Sequence, residues 1–230
     1  MKTMRAMAVA AGLAMVCASA LALKPGETAP DFKGTDSNGK THTLAQYRGK
    51  YVVLEWANKG CPFEQKHYKS GNMERLQKEW TAKGVVWLSV LSSAPGEQGN
   101  VTPAEENDYL REMKAAPTAA ILDPSGTIGR LYDAKTTPDM FVIDPQGKIV
   151  YEGAIDDQPM PDPASLKDAK NYVSAALEAS MAGRPVAVPV TRSYGCSVKY
   201  SELGSGLEGI KRIGVEGASG SFGCAALRSG

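Results

Sequence analysis

One cysteine is placed for chemistry. In Val52-Val53-Leu54-Glu55-Trp56-Ala57-Asn58-Lys59-Gly60-Cys61-Pro62-Phe63-Glu64 an apolar, strand-like run ends at Trp56. A short turn follows, and Cys61 stands where a helix should begin. Pro62 suits the first helical position, where its missing N–H would have had no partner. A thiol at a helix N-terminus faces unpaired backbone N–H groups and the positive end of the helix dipole. Both favour thiolate, the nucleophilic form. The alternative is a buried structural cysteine, and the conjunction of strand, turn, Cys-Pro and helix argues against it.

The other candidates are weaker. Glu55 lies inside the apolar run, and a buried carboxylate is costly unless paired. Lys59 and Lys66 could favour thiolate electrostatically, but exposed lysines are usually only solvated. His67 follows Cys61 by six residues. On a helix that spacing carries it well round from the cysteine, so no Cys–His pair is expected. His42 is remote. Two histidines and scattered cysteines make no metal site, and no cofactor is expected.

The elements around Cys61 alternate. Asp36-Ser37-Asn38-Gly39-Lys40 carries an Asn-Gly turn with Thr41-His42-Thr43-Leu44 as return strand. Tyr51 to Trp56 and Gly84 to Leu91 read as buried strands. Residues 62–83 read as helix, broken near Ser70-Gly71-Asn72, with Asn72 capping a second piece whose Met73, Leu76 and Trp80 share a face. Helices are expected near 103–113 and 126–132, with a short apolar run at 119–122. Residues 139–151 form a hairpin through Pro145-Gln146-Gly147. A last helix is expected to be capped by Ser165 with Asp168 as a variant capping box, and to end at Gly183. Leu166, Ala169, Val173, Ala176 and Leu177 are its buried stripe. The order points to a mixed sheet between helices.

Export is written into the first 22 residues. Lys2 and Arg5 precede an apolar stretch from Ala6 to Val16, too short to span a bilayer. Ala18-Ser19-Ala20 and Ala20-Leu21-Ala22 offer small-x-small cleavage sites, so residues 1–22 read as a signal peptide. Val16, where a lipoprotein signal wants a small residue, argues against lipidation at Cys17. No other segment approaches a membrane span. The remainder carries 24 basic and 25 acidic residues. No basic stripe suggests nucleic acid, and no acidic block suggests a solvating tail. Three cysteines remain, Cys61, Cys196 and Cys224. They are too few for a disulfide-built scaffold, though an oxidising compartment permits one functional bridge. Residues 201–230 hold eight Gly and five Ser without periodicity, and read as a tail that does not fold alone.

Several fragments together resemble the thioredoxin-like superfamily in its redoxin, or peroxiredoxin-like (AhpC/TSA-type), branch. Lys24-Pro25-Gly26-Glu27-Thr28-Ala29-Pro30-Asp31-Phe32 resembles the G-x-x-A-P-D-F opening of redoxins. Val53-Leu54-Glu55-Trp56-Ala57 resembles the strand before the active site. Thr136-Thr137-Pro138 resembles the loop that carries a cis-proline, and Gly195-Cys196-Ser197-Val198-Lys199-Tyr200 the closing G-C-S-I-K-W of one peroxiredoxin-like subgroup. The resemblance implies an α/β thioredoxin-like fold over residues 23–200, a four- or five-stranded mixed sheet flanked by helices. It implies that Pro138 lies against the Cys61 sulfur and shapes a groove for a partner chain. Trp56, Asn58, Pro62, Glu64, Thr137 and Pro138 would line the site. Glu55 would stand where thioredoxins keep a buried acid for proton transfer.

Two family chemistries compete. Peroxide reduction uses Pro-x-x-x-Thr/Ser-x-x-Cys and a later Arg to stabilise charge as the O–O bond breaks. Here Leu54 stands at the Pro position, Asn58 at the Thr position and Pro138 at the Arg position; only Cys61-Pro62-x-Glu64 matches. Thiol–disulfide exchange needs a second thiol. Glu64 and Gln65 stand where Cys-x-x-Cys or Cys-x-x-x-Cys would place it, so the resolving partner must be distant. Cys196 is the candidate, brought back along the surface by the stiff Arg184-Pro185-Val186-Ala187-Val188-Pro189-Val190. Its alternative is to pack or stay free.

The expectation is therefore an exported, periplasmic thiol oxidoreductase with Cys61 as nucleophile. Disulfide exchange with a thiol or disulfide protein partner stands ahead of peroxide reduction. A third reading is a binding module that uses the groove without turnover, in which Cys61→Ser leaves activity intact.

Overall fold

In a computed structural model, which describes residues 23–201, the chain is α/β with a seven-stranded mixed sheet flanked by helices. The strands are β1 (Lys33–Asp36), β2 (Thr41–Thr43), β3 (Val52–Trp56), β4 (Val86–Leu91), β5 (Ala119–Leu122), β6 (Thr136–Thr137), β7 (Asp139–Ile143), β8 (Ile149–Gly153) and β9 (Cys196–Ser197). The helices are α1 (Pro62–Lys69), α2 (Asn72–Ala82), α3 (Pro103–Glu112), α4 (Thr127–Leu131) and α5 (Tyr172–Met181). The main sheet runs β2-β1-β5-β4-β3-β7-β8, and β6 pairs with β9 in a separate ladder. The expected four or five strands become seven because the Asn-Gly hairpin β1–β2 adds to β5. The expected signal peptide at residues 1–22, with Cys17, and the expected tail from residue 202 on, with Cys224, lie outside the described residues.

Strands β3 and β4 run parallel at the centre and are buried along their whole length. That is why both read as nearly unbroken apolar runs instead of alternating ones. Alternate β3 residues serve two cores. Val52, Leu54 and Trp56 join Val90, Ile121, Ile128, Tyr132 and Phe141 on one face. Val53 joins Met73, Leu76, Trp80, Trp87, Val173 and Leu177 on the other. The predicted apolar face of α2 is thus confirmed.

Two caps differ from expectation. The helix expected from Ser165 is a 3-10 turn, Pro163–Asp168, capped by the Asp162 carboxylate, which accepts from Ala164 N at 2.9 Å. The last α-helix starts at Tyr172, where Asn171 Oδ1 accepts from Ser174 N at 2.7 Å. Leu166 and Ala169 are accordingly only partly buried, and Val173, Ala176 and Leu177 carry the stripe. Pro163 at the first position of the 3-10 turn and Lys170-Asn171 before the apolar run divide the segment. Nor does Asn72 cap α2. Gly71, at φ +75°, holds that position, and Asn72 instead donates from Nδ2 to His67 Nδ1 at 2.8 Å.

The segment after α5 positions the site. It adds to the β8 edge, with Glu152 N donating to Pro189 O and Thr191 N to Glu152 O, both at 3.0 Å. Thr191 Oγ1 then accepts from Ala154 N at 2.8 Å. The chain crosses to the 136–138 loop as β9. The cap assignment makes a direct prediction. Asn171→Ala should lower unfolding stability by about 1 kcal/mol in urea melts, while Ser165→Ala stays within about 0.5 kcal/mol. The reverse ranking would contradict it.

Candidate active site

Cys61 is positioned by the end of the central strand. After Trp56, Ala57 N still bonds Val90 O at 2.9 Å. The chain then leaves the sheet in a turn that Asn58 closes. Its Oδ1 accepts from Gly60 N at 2.8 Å and its carbonyl accepts from Cys61 N at 2.9 Å. Cys61 is the N-cap residue of α1, in extended conformation, and its side chain makes no capping hydrogen bond. Pro62 follows at the first turn, with its ring exposed. The thiol is therefore delivered to the helix N-terminus, as the sequence implied.

Two groups from distant parts of the chain touch the sulfur. Thr137 O lies 3.0 Å from Cys61 Sγ and accepts from it when it is a thiol. Cys196 N donates to Sγ at 3.4 Å, from 135 residues downstream. The Thr137–Pro138 peptide is cis, and both residues are buried. β6 and β9 pair antiparallel, with Thr136 opposite Ser197 and Thr137 opposite Cys196. Val198 N extends the ladder to Lys135 O at 3.0 Å. Gly195 enters it at φ +134°, where a Cβ would collide with the Thr137 carbonyl. Only glycine lets the chain approach this closely.

The two thiols are electrostatically unequal. Burial pushes Cys61 towards the neutral form, but hydrogen bonds from the Cys196 and Thr137 side chains and from the backbone N–H groups of Cys196 and Glu64 outweigh it. Its thiol is held below the ordinary cysteine range. Cys196 is pushed up to about 11, by burial first and then by Cys61 beside it. Both are free thiols here.

The carboxyls divide in the same way. Glu55 is fully buried on the α2 face of β3. Trp87 Nε1 donates to it at 2.6 Å, Tyr68 OH at 2.8 Å, Ser89 Oγ at 3.1 Å and Gln77 Nε2 at 3.3 Å. Its oxygens are saturated and none of these partners is a thiol. Glu64, in the first turn of α1, accepts from Asn58 N at 2.5 Å through Oε2, and its buried Oε1 has no partner. Burial and the neighbouring Glu55 hold it well above the usual carboxylate range, and it acts electrostatically on both cysteines. Burial also lifts Glu106 to about 7.

Several expected residues stand elsewhere than anticipated. Asn58 is committed to its turn and to Gln98 O at 3.2 Å, not to the Cys61 sulfur. Trp56 donates to Ser92 Oγ at 3.1 Å and packs on Tyr132 and Phe141, forming core on the face opposite Glu55. Lys66, read from sequence as solvated, is 1% exposed. It donates to Gln158 O at 2.5 Å, lies 3.7 Å from Asp156 Oδ1 and sits over the Tyr194 ring. Tyr194 OH in turn donates to Asp156. His67 is buried beside them, held neutral by burial and by Lys66, with its pKa near 3. It does not touch Cys61. This buried cluster ties α1 to the start of the Cys196 segment. Only its tertiary pairing reveals it; no local pattern in the sequence marks Lys66 or Asp156. Among the described residues no group of three or more His, Cys, Asp or Glu is placed to hold a metal ion.

Comparison with known proteins gives a family match and several relatives. A family model described as the AhpC/TSA family matches residues 25–152. Over 129 residues the chain is 30% identical to the thiol-disulfide oxidoreductase ResA of Geobacillus thermodenitrificans (strain NG80-2), spanning 56% of this chain and 68% of that protein. The protein of the same name from Bacillus cereus (strain ATCC 10987 / NRS 248) is 27% identical over 128 residues, spanning 55% of this chain and 68% of its own length. Among solved structures, an uncharacterized conserved protein from Geobacillus kaustophilus matches with TM-score 0.69 and 25% identity, over 80% of this chain and 95% of that one. A hypothetical protein from Sinorhizobium meliloti 1021 matches with TM-score 0.68 and 22% identity, over 80% and 97%.

The asymmetry of the thiols is measurable. The rate of Cys61 alkylation by iodoacetamide should rise with pH through a midpoint below the usual thiol value of about 8.5. Cys196→Ala removes the side-chain hydrogen bond and should move that midpoint upward. An unchanged or lower midpoint would contradict the assignment.

Proposed function

The chain belongs to the AhpC/TSA family, and from that premise we propose that it exchanges thiols and disulfides through a reversible Cys61–Cys196 pair. It is a thiol-dependent oxidoreductase of thioredoxin-like fold. Relatives at 27–30% identity carry the name thiol-disulfide oxidoreductase. The observation that carries the reading is the convergence of the two cysteines, Cys196 N to Cys61 Sγ at 3.4 Å. The family match ends at residue 152, so it includes Cys61 and Pro138, and the role of Cys196 is argued from geometry alone.

Cys61 is the lower-pKa sulfur and Cys196 its partner in the bridge. Stabilising the Cys61 thiolate stabilises the reduced protein, which makes the disulfide the more oxidising. Glu64 exchanges the proton that Cys196 gives up or takes back. Its unpartnered Oε1 and its electrostatic coupling to both thiols suit it better than Glu55, whose oxygens already accept four hydrogen bonds. Glu55 instead fixes the strand that carries Cys61. The partner is a thiol or disulfide on a protein chain, and a cavity of about 600 Å³, lined by Thr136, Tyr194 and Gly195 and by neither cysteine, offers its side chains room along the segment that leads to Cys196.

Peroxide reduction is less well supported. The Arg position holds Pro138, and the amide at the Thr position, Asn58, is spent on its own turn and on Gln98. Residues 1–22 read as a signal peptide, and an oxidising, periplasm-like compartment suits a functional disulfide. No helix of the described residues is long and apolar enough to cross a membrane.

The test is oxidation of a dithiol peptide by the oxidised protein. Wild type should oxidise one equivalent, and neither Cys61→Ser nor Cys196→Ser, each unable to form the bridge, should oxidise any. Hydrogen peroxide should oxidise Cys61 no faster than a free thiolate. A peroxide rate orders of magnitude higher would replace this reading with a peroxidase. Biological activity retained in Cys61→Ser would replace it with a binding module.

A further inference from the structure

The two sulfurs of the pair are not equally reachable. Cys61 is 0% exposed. Thr137 O and Cys196 N crowd its sulfur, and β9 lies across it. Cys196 keeps part of its surface open, and its neighbour Ser197 is exposed. The segment that carries Cys196 is fastened on both sides. Thr191 and Tyr194 hold it upstream; downstream, Val198 is buried in the core and Tyr200 OH donates to Ala134 O at 2.7 Å. In thiol–disulfide exchange the nucleophile approaches in line with the bond it breaks, so the attacked sulfur needs an open side. Cys61 is wholly buried, whereas Cys196 is only partly so.

Building on the Cys61–Cys196 pair proposed above, we infer that an external thiol enters through Cys196, with β9 in place, and that Cys61 is the leaving sulfur. The external thiolate forms a bond to Cys196 Sγ. The Cys61–Cys196 bond breaks and its electron pair stays on Cys61 as thiolate. A second external thiol then attacks the partner sulfur of the mixed disulfide and frees Cys196. Two external thiols become one disulfide, and the protein disulfide becomes two thiols, which take up the two protons released.

Leaving-group chemistry points the same way. Exchange is faster when the departing thiol is the more acidic. Attack at Cys196 expels Cys61, held below the ordinary range. Attack at Cys61 would expel Cys196, whose thiol sits at about 11. The Lys199 ammonium donates to Ser197 Oγ at 2.9 Å and acts electrostatically on Cys196. It therefore places positive charge beside the attacked sulfur, where an incoming thiolate gains from it.

The experiment uses the full chain oxidised with one equivalent of diamide. Excess reduced glutathione is added, acid quenches the exchange, and the free thiols are alkylated for peptide mapping. Extrapolated to zero time, the glutathione adduct should lie on Cys196 with Cys61 free. Extrapolation is needed because the Cys61 thiolate can later pull the adduct across. A first adduct on Cys61 overturns this inference and leaves the pair standing. If diamide gives no Cys61–Cys196 bridge, the pair itself falls, and the inference with it.

Discussion

A ladder of two residue pairs, Thr136 with Ser197 and Thr137 with Cys196, holds the chemistry together. It lays a segment from the far end of the chain across the cis-proline loop and sets the Cys196 N–H on the Cys61 sulfur. Loop-closure entropy grows only slowly with length, so joining residues 135 positions apart costs little more than joining nearer ones. Two residue pairs alone would still be a weak clasp. The segment is held by its flanks, at the β8 edge before the ladder and by Val198 and Tyr200 after it. Gly195 is the hinge point at which a side chain would force the strands apart.

The site places its polar groups by the same economy. An unpaired buried carboxyl is costly, whereas one with full hydrogen bonding is tolerable. Glu55 takes four donors from α1, α2 and β4, so the carboxyl locks the central strand to the layer above it. Glu64 keeps one buried oxygen unsatisfied and acts electrostatically on both thiols. On α1, Lys66 bonds Gln158 O and lies 3.7 Å from Asp156, holding the helix to the Asp156–Tyr194 region. The helix that supplies the N-terminus for Cys61 is thereby fixed to the segment that supplies Cys196.

Much of this was legible in the residues. The buried strand, the Cys-Pro helix start, the break at Ser70-Gly71 and the hairpin through Pro145-Gln146-Gly147 all follow from local rules, and local rules suffice where the chain is regular. Cys196 could be nominated but not placed, because β9 is two residues long and exists only by pairing with β6. Lys66 was misjudged because a lysine on a short helix has no local mark of burial; its partners arrive from residues 156–158 and 194. Ser165 was a plausible cap in isolation, but Pro163 and Asp162 use that turn for a 3-10 segment and leave the helix start to Asn171. Local signals named the elements and the candidate nucleophile. The pairing of distant segments decided which groups meet it.

The most direct test of the central claim is a redox equilibrium. The protein would be held in glutathione buffers of graded potential and alkylated, and its cysteines mapped by mass. If Cys61 and Cys196 form a working pair, they disappear together in one two-electron transition, at the same midpoint, whether or not Cys224 is replaced by Ser. If Cys61 is oxidised alone, or bridges to Cys224 instead, the ladder that brings Cys196 to it has no redox role.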